Sequence, residues 1–149
     1  MNIHEDFEEF LKLLNRKKVE YLIVGGYAVA FYGYVRVTKD LDILFHNSPQ
    51  NIQRLKSALN GFGFPADGLS DVAFSEKGKI IRMGVSPVMI ELINAISGVS
   101  FETAWKNRVK GEYGRTKVFY LSKPDLLKNK SASGRPQDLA DVAELKSLG

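Results

Sequence analysis

Two aspartates, Asp40 and Asp42, are separated by one residue in the apolar stretch DLDILF at 40–45. Alternate side chains of a β-strand point to the same face, so both carboxylates should share one face while Leu41 and Ile43 point to the other. Two like charges this close raise each other's pKa unless a cation compensates. Mg²⁺ or Mn²⁺ would be the usual compensation, since hard cations prefer carboxylate oxygens. The alternative is a solvent-facing strand start, which a bare D-x-D motif favours.

A glycine pair, Gly25-Gly26, precedes the aspartates and lies between a short apolar strand and a short helix. Backbone amides at such a turn can bind an anion, and glycine permits close approach of a phosphate. Arg36 and Thr38 follow in the loop that leads to the aspartates. Phosphate donors, a basic side chain and two carboxylates would then surround one cleft. A plain turn is the alternative for the glycine pair.

The elements that must position these residues follow from periodicity and from capping signals. The patterns predict strands at 20–24, 40–45, 79–85, 88–93 and 117–121. They predict helices at 3–16 and 27–33, from Pro49 to the GFGF segment, after SGVS at 97–100, from Ser122 to about Ser131, and at 136–147. The segment PADGLSD at 65–71 is predicted to be a loop, and the last helix to direct Leu139, Val142, Ala143 and Leu145 toward the core. This order predicts an α/β (α+β) fold, a small mixed sheet flanked by helices.

The composition sets limits on the class of protein. The 149 residues include 21 Lys and Arg against 17 Asp and Glu, a formal net charge of +4, which suits a nucleotide or RNA partner. Many small basic proteins nevertheless bind no anion. The absence of Cys excludes disulfides, thiolate zinc sites and a cysteine nucleophile, and fits a reducing cytoplasm. Apolar runs fall far short of the ~20 residues that span a bilayer. We therefore expect one cytoplasmic domain over 1–149, without a membrane partner.

The stretch GGYAVAFYGYVRVTKDLDI, from Gly25 to Ile43, resembles the signature of the nucleotidyltransferase superfamily. That signature is a Gly-Gly or Gly-Ser pair, a spacer, and two acidic residues that flank an apolar one. More narrowly, the stretch resembles small bacterial nucleotidyltransferases related to the AbiEii-type toxins, in which an Arg-x-Thr also precedes the acidic pair. The resemblance covers most of residues 20–145 and implies a nucleotidyltransferase (polymerase β-like) fold.

The resemblance also implies a third carboxylate on a later strand, directed at the same metal ions as Asp40 and Asp42. Glu91, a single acid within VMIELI, is the candidate. The family more often has Asp here, and the extra methylene of Glu would move the carboxylate by about one bond length, to which in-line transfer is sensitive. Without the resemblance, Glu91 would be interpreted as a strand-end residue that reaches solvent.

The segment LSKPDLLKNKSASGRPQDLADVAEL resembles the end of the same subgroup. The resemblance implies that Lys130 and Arg135 contact nucleotide phosphates, and that Asp138 lies near the site and orients a basic residue or the base. For Asp138 and Asp141 the alternative is structural, because acids near the start of a helix at Pro136 interact favourably with its dipole. The nucleotide-binding residues implied in total are Gly25, Gly26, Arg36, Thr38, Lys130, Arg135 and Asp138.

The function implied is a metal-dependent nucleotidyltransferase that transfers an NMP from an NTP to a hydroxyl and releases pyrophosphate. The acceptor stays open between RNA or tRNA, a protein side chain and a small molecule. The narrower role is the toxin of a toxin–antitoxin or abortive-infection system, with an antitoxin as partner. Two alternatives remain: a module that binds nucleotide or nucleic acid on the same fold with little or no chemistry, and a structural or interaction role.

Overall fold

The computed structural model describes residues 3–38, 40–85 and 88–149. The helices are α1 (Glu5–Arg16), α2 (Gly25–Phe31), α3 (Pro49–Phe62), α4 (Asp71–Ser75), α5 (Phe101–Lys106), α6 (Lys123–Ser133) and α7 (Pro136–Ser147), with a short 3-10 helix at Ala66–Gly68. The strands are β1 (Tyr21–Val24), β2 (Asp40–Phe45), β3 (Ile80–Val85), β4 (Val88–Ile93), β5 (Val109–Tyr113) and β6 (Thr116–Tyr120). Within the described ranges, no helix is both long and apolar enough to cross a membrane.

The six strands form one mixed sheet in the order β3-β4-β2-β1-β6-β5. The pairs β1–β2, β3–β4 and β5–β6 are antiparallel, whereas β2–β4 and β1–β6 are parallel. The two central strands, β1 and β2, are short and largely buried, and they bring the glycine pair and the aspartates to the same end of the sheet. The predicted fold class, a small mixed sheet flanked by helices, is confirmed.

Local sequence signals account for the helix that follows β2. The Ser48 hydroxyl accepts a hydrogen bond from the Asn51 amide at 3.3 Å, and Pro49 occupies the first helical position. The helix ends at Gly63, which has a left-handed φ of 95°. Its buried face, which includes Ile52, packs with α1 and the sheet in one core.

Three parts of the chain differ from the sequence prediction. The helix predicted at 27–33 is α2, which spans Gly25–Phe31, so the glycine pair forms its first turn. The segment predicted as the loop 65–71 contains the 3-10 helix, and Asp71 begins α4, which buries Phe74 against Phe45. Strand β5 was not predicted, because Gly111 and the charges around it weaken the strand pattern. It is an edge strand whose only neighbour is β6 in the described sheet, and a side chain at Gly111 would overlap the ring of Phe31.

Helix α7 has the predicted bounds, but its buried face is different. Leu139 is 50% exposed and Ala143 is also exposed, so the prediction that they point to the core is wrong. Val142 and Leu145 are buried as predicted. Buried positions are also occupied by Asp138 and Asp141, which bind basic side chains from other elements. The helix is therefore oriented by ion pairs as well as by apolar burial.

Candidate active site

The strand register brings the three acidic residues to one face of the sheet. In the parallel pair β2–β4, Asp42 lies opposite Glu91 and Asp40 lies opposite Met89. Residues paired across adjacent strands point to the same face, and Asp40 and Asp42 are two positions apart. The carboxylates of Asp40, Asp42 and Glu91 therefore share a face, although Asp42 and Glu91 are 49 positions apart in the sequence.

The glycine pair lies against this acidic group. Val24, the last residue of β1, is the cross-strand partner of Asp42, and Gly25 follows with a left-handed φ of 67°. A Cβ at Gly25 would overlap the carboxylate of Asp42, lying 3.0 Å from its Cγ. A Cβ at Gly26 would lie 2.8 Å from the Cβ of Thr38 and overlap its hydroxyl. Glycine is thus required at both positions by contacts with the predicted site.

The acidic group is electrostatically strained. Burial raises the pKa of Asp42 to about 7, and the neighbouring carboxylates of Glu91, which contacts it, and of Asp40 contribute further. Lys130 acts in the opposite direction. Glu91 accepts a hydrogen bond at 2.8 Å from Nε of Arg82, its cross-strand partner in β3. Lys130 and Arg82 compensate the negative charge of the three carboxylates only in part, so the region is suited to bind a cation.

The residues fit a hard divalent cation by their chemistry. Three carboxylates face one cleft, and Asp42 and Glu91 are in contact. Carboxylate oxygens are the ligands that Mg²⁺ and Mn²⁺ prefer. Among the described residues, no three acidic, histidine or cysteine side chains already converge in a metal-binding arrangement. Coordination by all three would require these side chains to approach one another more closely.

Basic side chains line the same cleft, and we use the name basic cluster for Arg36, Lys130 and Arg135 together with Asp138 and Asp141, the acids that bind them. Nζ of Lys130, which is only 5% exposed, lies 3.1 Å from Oδ1 of Asp138 and 3.1 Å from Oδ2 of Asp141. Arg36 donates to both oxygens of Asp141, at 2.9 and 3.0 Å. Arg135 donates to Oδ2 of Asp138 at 2.7 Å. Three cations face two anions, which leaves one excess positive charge.

The carboxylates of the basic cluster are held ionised. Burial alone would raise the pKa of Asp138, but hydrogen bonds from Arg135, Ser133 and Lys130 outweigh it and hold that pKa well below its usual range. Asp141 behaves in the same way: burial is opposed by hydrogen bonds from Arg36 and other donors, and its pKa is lowered. The helix-dipole alternative does not account for these contacts, because each carboxylate binds the buried Lys130 and one arginine.

The cleft between the two groups has a volume of about 630 Å³, within the range of small-molecule sites. All the residues predicted from the sequence to form a site line it: Gly25, Gly26, Arg36, Thr38, Asp40, Asp42, Glu91, Lys130, Arg135 and Asp138. Lys130 and Arg135, expected to contact phosphates, bind Asp138 in this structure. Asp138 therefore orients both basic side chains.

Sequence reasoning missed two partners in the site. Arg82 was not identified, although the hairpin predicted from 79–85 and 88–93 contains the signal, since its two strands place Arg82 opposite Glu91. The bond between Arg36 and Asp141 was also missed. Both residues lie in quoted motifs, but 105 positions separate them, and no local pattern indicates such a contact.

The mixed sheet and its helices match the nucleotidyltransferase fold of solved structures. A crystal structure of the lincosamide antibiotic adenylyltransferase LnuA, with lincomycin bound, matches with a TM-score of 0.60 at 20% identity, over 100% of both chains. An antigenic nucleotidyltransferase-like protein from Paracoccidioides brasiliensis matches with a TM-score of 0.53 at 19% identity, over 95% of this chain and 75% of the other. At these identities the similarity shows the fold alone.

The family is shown by a family model that matches residues 1–148 and is described as a nucleotidyltransferase of unknown function (DUF6036). The chain belongs to this family. A comparison with curated proteins found no match. The prediction of a nucleotidyltransferase is therefore confirmed at the level of family and fold, while the narrower resemblance to the AbiEii-type toxins stays a prediction.

Proposed function

We propose that the protein is a metal-dependent nucleotidyltransferase that transfers an NMP from an NTP to a hydroxyl acceptor and releases pyrophosphate. One observation carries the proposal: Asp42 is paired in register with Glu91 and packed against Gly25, in a cleft that basic side chains also line. Transfer of a nucleotide from an NTP needs carboxylates that bind a divalent cation and basic side chains that bind the triphosphate, and this cleft has both.

Asp40, Asp42 and Glu91 would hold Mg²⁺ or Mn²⁺. When bound, the ion would neutralise charge on the triphosphate and favour ionisation of the attacking hydroxyl. The glycine pair leaves room for phosphate oxygens beside Asp42, with the Thr38 hydroxyl as a further contact.

The basic cluster would bind the β- and γ-phosphates. Lys130 is fixed by two carboxylates and Arg36 by one, so their positions are set before the nucleotide arrives. Arg135 is the most exposed of the three cations, with 76% of its side chain accessible, so it would reach a phosphate by exchanging its bond to Asp138. Asp138 serves as the orienting residue of Lys130 and Arg135.

In the reaction, the acceptor oxygen forms a bond to the α-phosphorus and the bond from that phosphorus to the pyrophosphate oxygen breaks. Pyrophosphate leaves with the electron pair. Glu91 faces the cleft beside Asp42, so its carboxylate is placed either to hold the cation or to take the proton of the acceptor hydroxyl.

For the acceptor and biological role, we propose RNA, with tRNA included, and an AbiEii-type toxin that is restrained by an antitoxin in the cytoplasm. The motifs Arg36-Val37-Thr38 and SGRP before Asp138 support this assignment, as does the basic net charge. A small-molecule acceptor is the competing choice. The fold shared with LnuA, an adenylyltransferase of lincosamide antibiotics, favours that choice.

The test is incubation with each α-³²P-labelled NTP, Mg²⁺ or Mn²⁺, and either total RNA or a panel of small hydroxyl compounds. We expect label in one acceptor class, and loss of transfer in Asp42→Asn, which removes a charge without changing side-chain volume. Asp67→Asn, at an exposed position outside the cleft, is the matched control. An active Asp42→Asn variant, or wild type without transfer under any condition, would refute the proposal.

A second candidate function is a module that binds nucleotides without transferring them. The observation that favours it is the bond between Arg82 and Glu91, which occupies the third carboxylate. This module would bind a labelled NTP in equilibrium dialysis without releasing pyrophosphate, and Glu91→Gln would leave its affinity unchanged.

A further inference from the structure

A second cleft lies at the other end of β1 from the candidate active site. It has a volume of about 790 Å³, and it shares no lining residue with the acidic cleft. Glu20, which directly precedes β1, lines the second cleft, whereas Val24, which ends β1, lines the first. Four residues of strand span about 13 Å at about 3.3 Å per residue. The two clefts are thus separate but near enough for one extended ligand.

Flat side chains are stacked next to Trp105 and Phe119, which line the second cleft. The guanidinium carbon of Arg108 lies 3.9 Å above the ring of Trp105 and 5.2 Å from the ring centre of Phe119. Phe101 is stacked on Trp105 at 5.8 Å, and His46 is stacked on Phe101 at 4.8 Å. Arg108 ends this stack and is exposed. Aromatic rings and guanidinium planes are the surfaces on which unpaired nucleic-acid bases stack.

The charge of the second cleft is positive. Four basic side chains line it: Lys18, Arg54, Lys110 and Lys117. Two acids accompany them, and one of these, Glu20, is bound by Nδ1 of His46 at 2.8 Å. Across the described residues, none of the four cations has an ion-pair partner, and the same is true of Arg108. Glu112, the second acid, is the cross-strand partner of Lys117, so four cations face two acids and the cleft keeps an excess of positive charge for phosphates.

We propose that the second cleft binds single-stranded RNA, with a base stacked on the Arg108–Trp105 pair and phosphates bound by Lys110 and Lys117. The lysines lie on the β5–β6 hairpin, and Lys110 is the cross-strand partner of Phe119, so the charges and the stack share one face. The binding does not depend on catalysis. Its use as a docking site that delivers an RNA acceptor to the acidic cleft rests on the proposed function.

The chain offers a direct probe of this site, because Trp105 is its single tryptophan. The experiment titrates Asp42→Asn protein, without NTP or divalent cation, with a ten-nucleotide RNA of mixed sequence and follows tryptophan fluorescence. We expect saturable quenching, and affinity that falls as salt is increased. The same length of duplex RNA should bind more weakly, because its bases are already stacked. Since no transfer occurs in this assay, failure of the nucleotidyltransferase proposal leaves the result unaffected.

Two variants that retain the probe test the parts of the site. Arg108→Gln should weaken RNA binding at least about fivefold, because it removes the stacking plane. Lys110→Gln/Lys117→Gln should reduce the slope of log K against log salt by about 1.4, which corresponds to two phosphate contacts on a single strand. Lys77→Gln/Lys146→Gln, at two exposed positions outside both clefts, is the matched control and should keep the wild-type slope.

Three results would overturn the proposal. The first is RNA binding without a change in Trp105 fluorescence. The second is equal loss of slope in the two double variants, which would indicate a diffuse effect of net charge. The third is equal quenching by a poly-glutamate peptide, which would indicate an acidic protein partner.

Discussion

The contact between Gly25 and Asp42 gives a prediction whose magnitude follows from the structure. Gly25→Ala places a Cβ on a residue with φ 67°, and that Cβ would overlap the Asp42 carboxylate. The left-handed conformation costs about 1–2 kcal/mol for a residue with a Cβ. Overpacking against a buried neighbour costs about 1–3 kcal/mol more. Alanine also restricts the unfolded chain, which offsets about 0.4–1 kcal/mol of this cost. The free energy of unfolding of Gly25→Ala should therefore be lower than that of wild type by about 2–4 kcal/mol.

Gly134→Ala is the matched control for this prediction. Gly134 has nearly the same conformation, with φ 69°, but the nearest atom to its added Cβ is the Ser131 carbonyl oxygen at 3.8 Å, an ordinary contact. Its loss should be about 1 kcal/mol, the conformational part alone. Urea unfolding followed by Trp105 fluorescence measures both variants. Equal losses of unfolding free energy in Gly25→Ala and Gly134→Ala would show that Asp42 does not restrict the space at Gly25, and would refute the reasoning.

Three further predictions concern the charged groups of the site. The pKa of Asp138 is lower in the folded protein than in the unfolded chain, so ionised Asp138 stabilises the fold above about pH 4 and this stabilisation is lost as the pH falls. In wild type the urea midpoint should therefore decrease between pH 5 and pH 3, and Asp138→Asn should make that decrease smaller. Glu144→Gln, on the same helix, is the control and should leave the decrease unchanged. Arg82→Gln should leave the urea midpoint close to that of the wild type, because the Arg82–Glu91 pair is exposed. The same variant should bind Mn²⁺ more tightly in a calorimetric titration, because Glu91 loses a competing cation; weaker binding would contradict this expectation. Asp42→Asn should raise the urea midpoint at pH 8 without divalent cations, because it removes a charge that burial and Glu91 disfavour, and this gain should shrink as the pH falls below 7 and Asp42 of the wild type becomes protonated. A less stable variant at pH 8 would contradict the strain described for the acidic group.

The parts of the fold that the sequence predicted well are those with strong local signals. The strand 40–45 and the helix 136–147 have the predicted bounds, since alternation marks the first and a proline at the first helical position marks the second. The position of Glu91 beside Asp42 could not be derived locally, because it depends on the parallel pairing of β2 with β4. The resemblance to a family pointed to Glu91, and only the strand pairing shows that Glu91 lies beside Asp42.

Other features depended on tertiary partners. Edge strand β5 contains Gly111, which weakens a strand pattern, and only its pairing with β6 makes it a strand. The exposure of Leu139 reverses the usual expectation for an apolar residue on an amphipathic helix. It follows from the ion pairs of Asp138 and Asp141, whose partners lie on other elements of the fold.

The bond between Arg36 and Asp141 also has a consequence for synthesis of the chain. The two residues are 105 positions apart. At about 5–20 residues per second, a ribosome adds Asp141 about 5–20 seconds after Arg36. During that interval the loop that holds Arg36 lacks its bond to Asp141. The basic side of the cleft therefore cannot be complete until helix α7 has been synthesised.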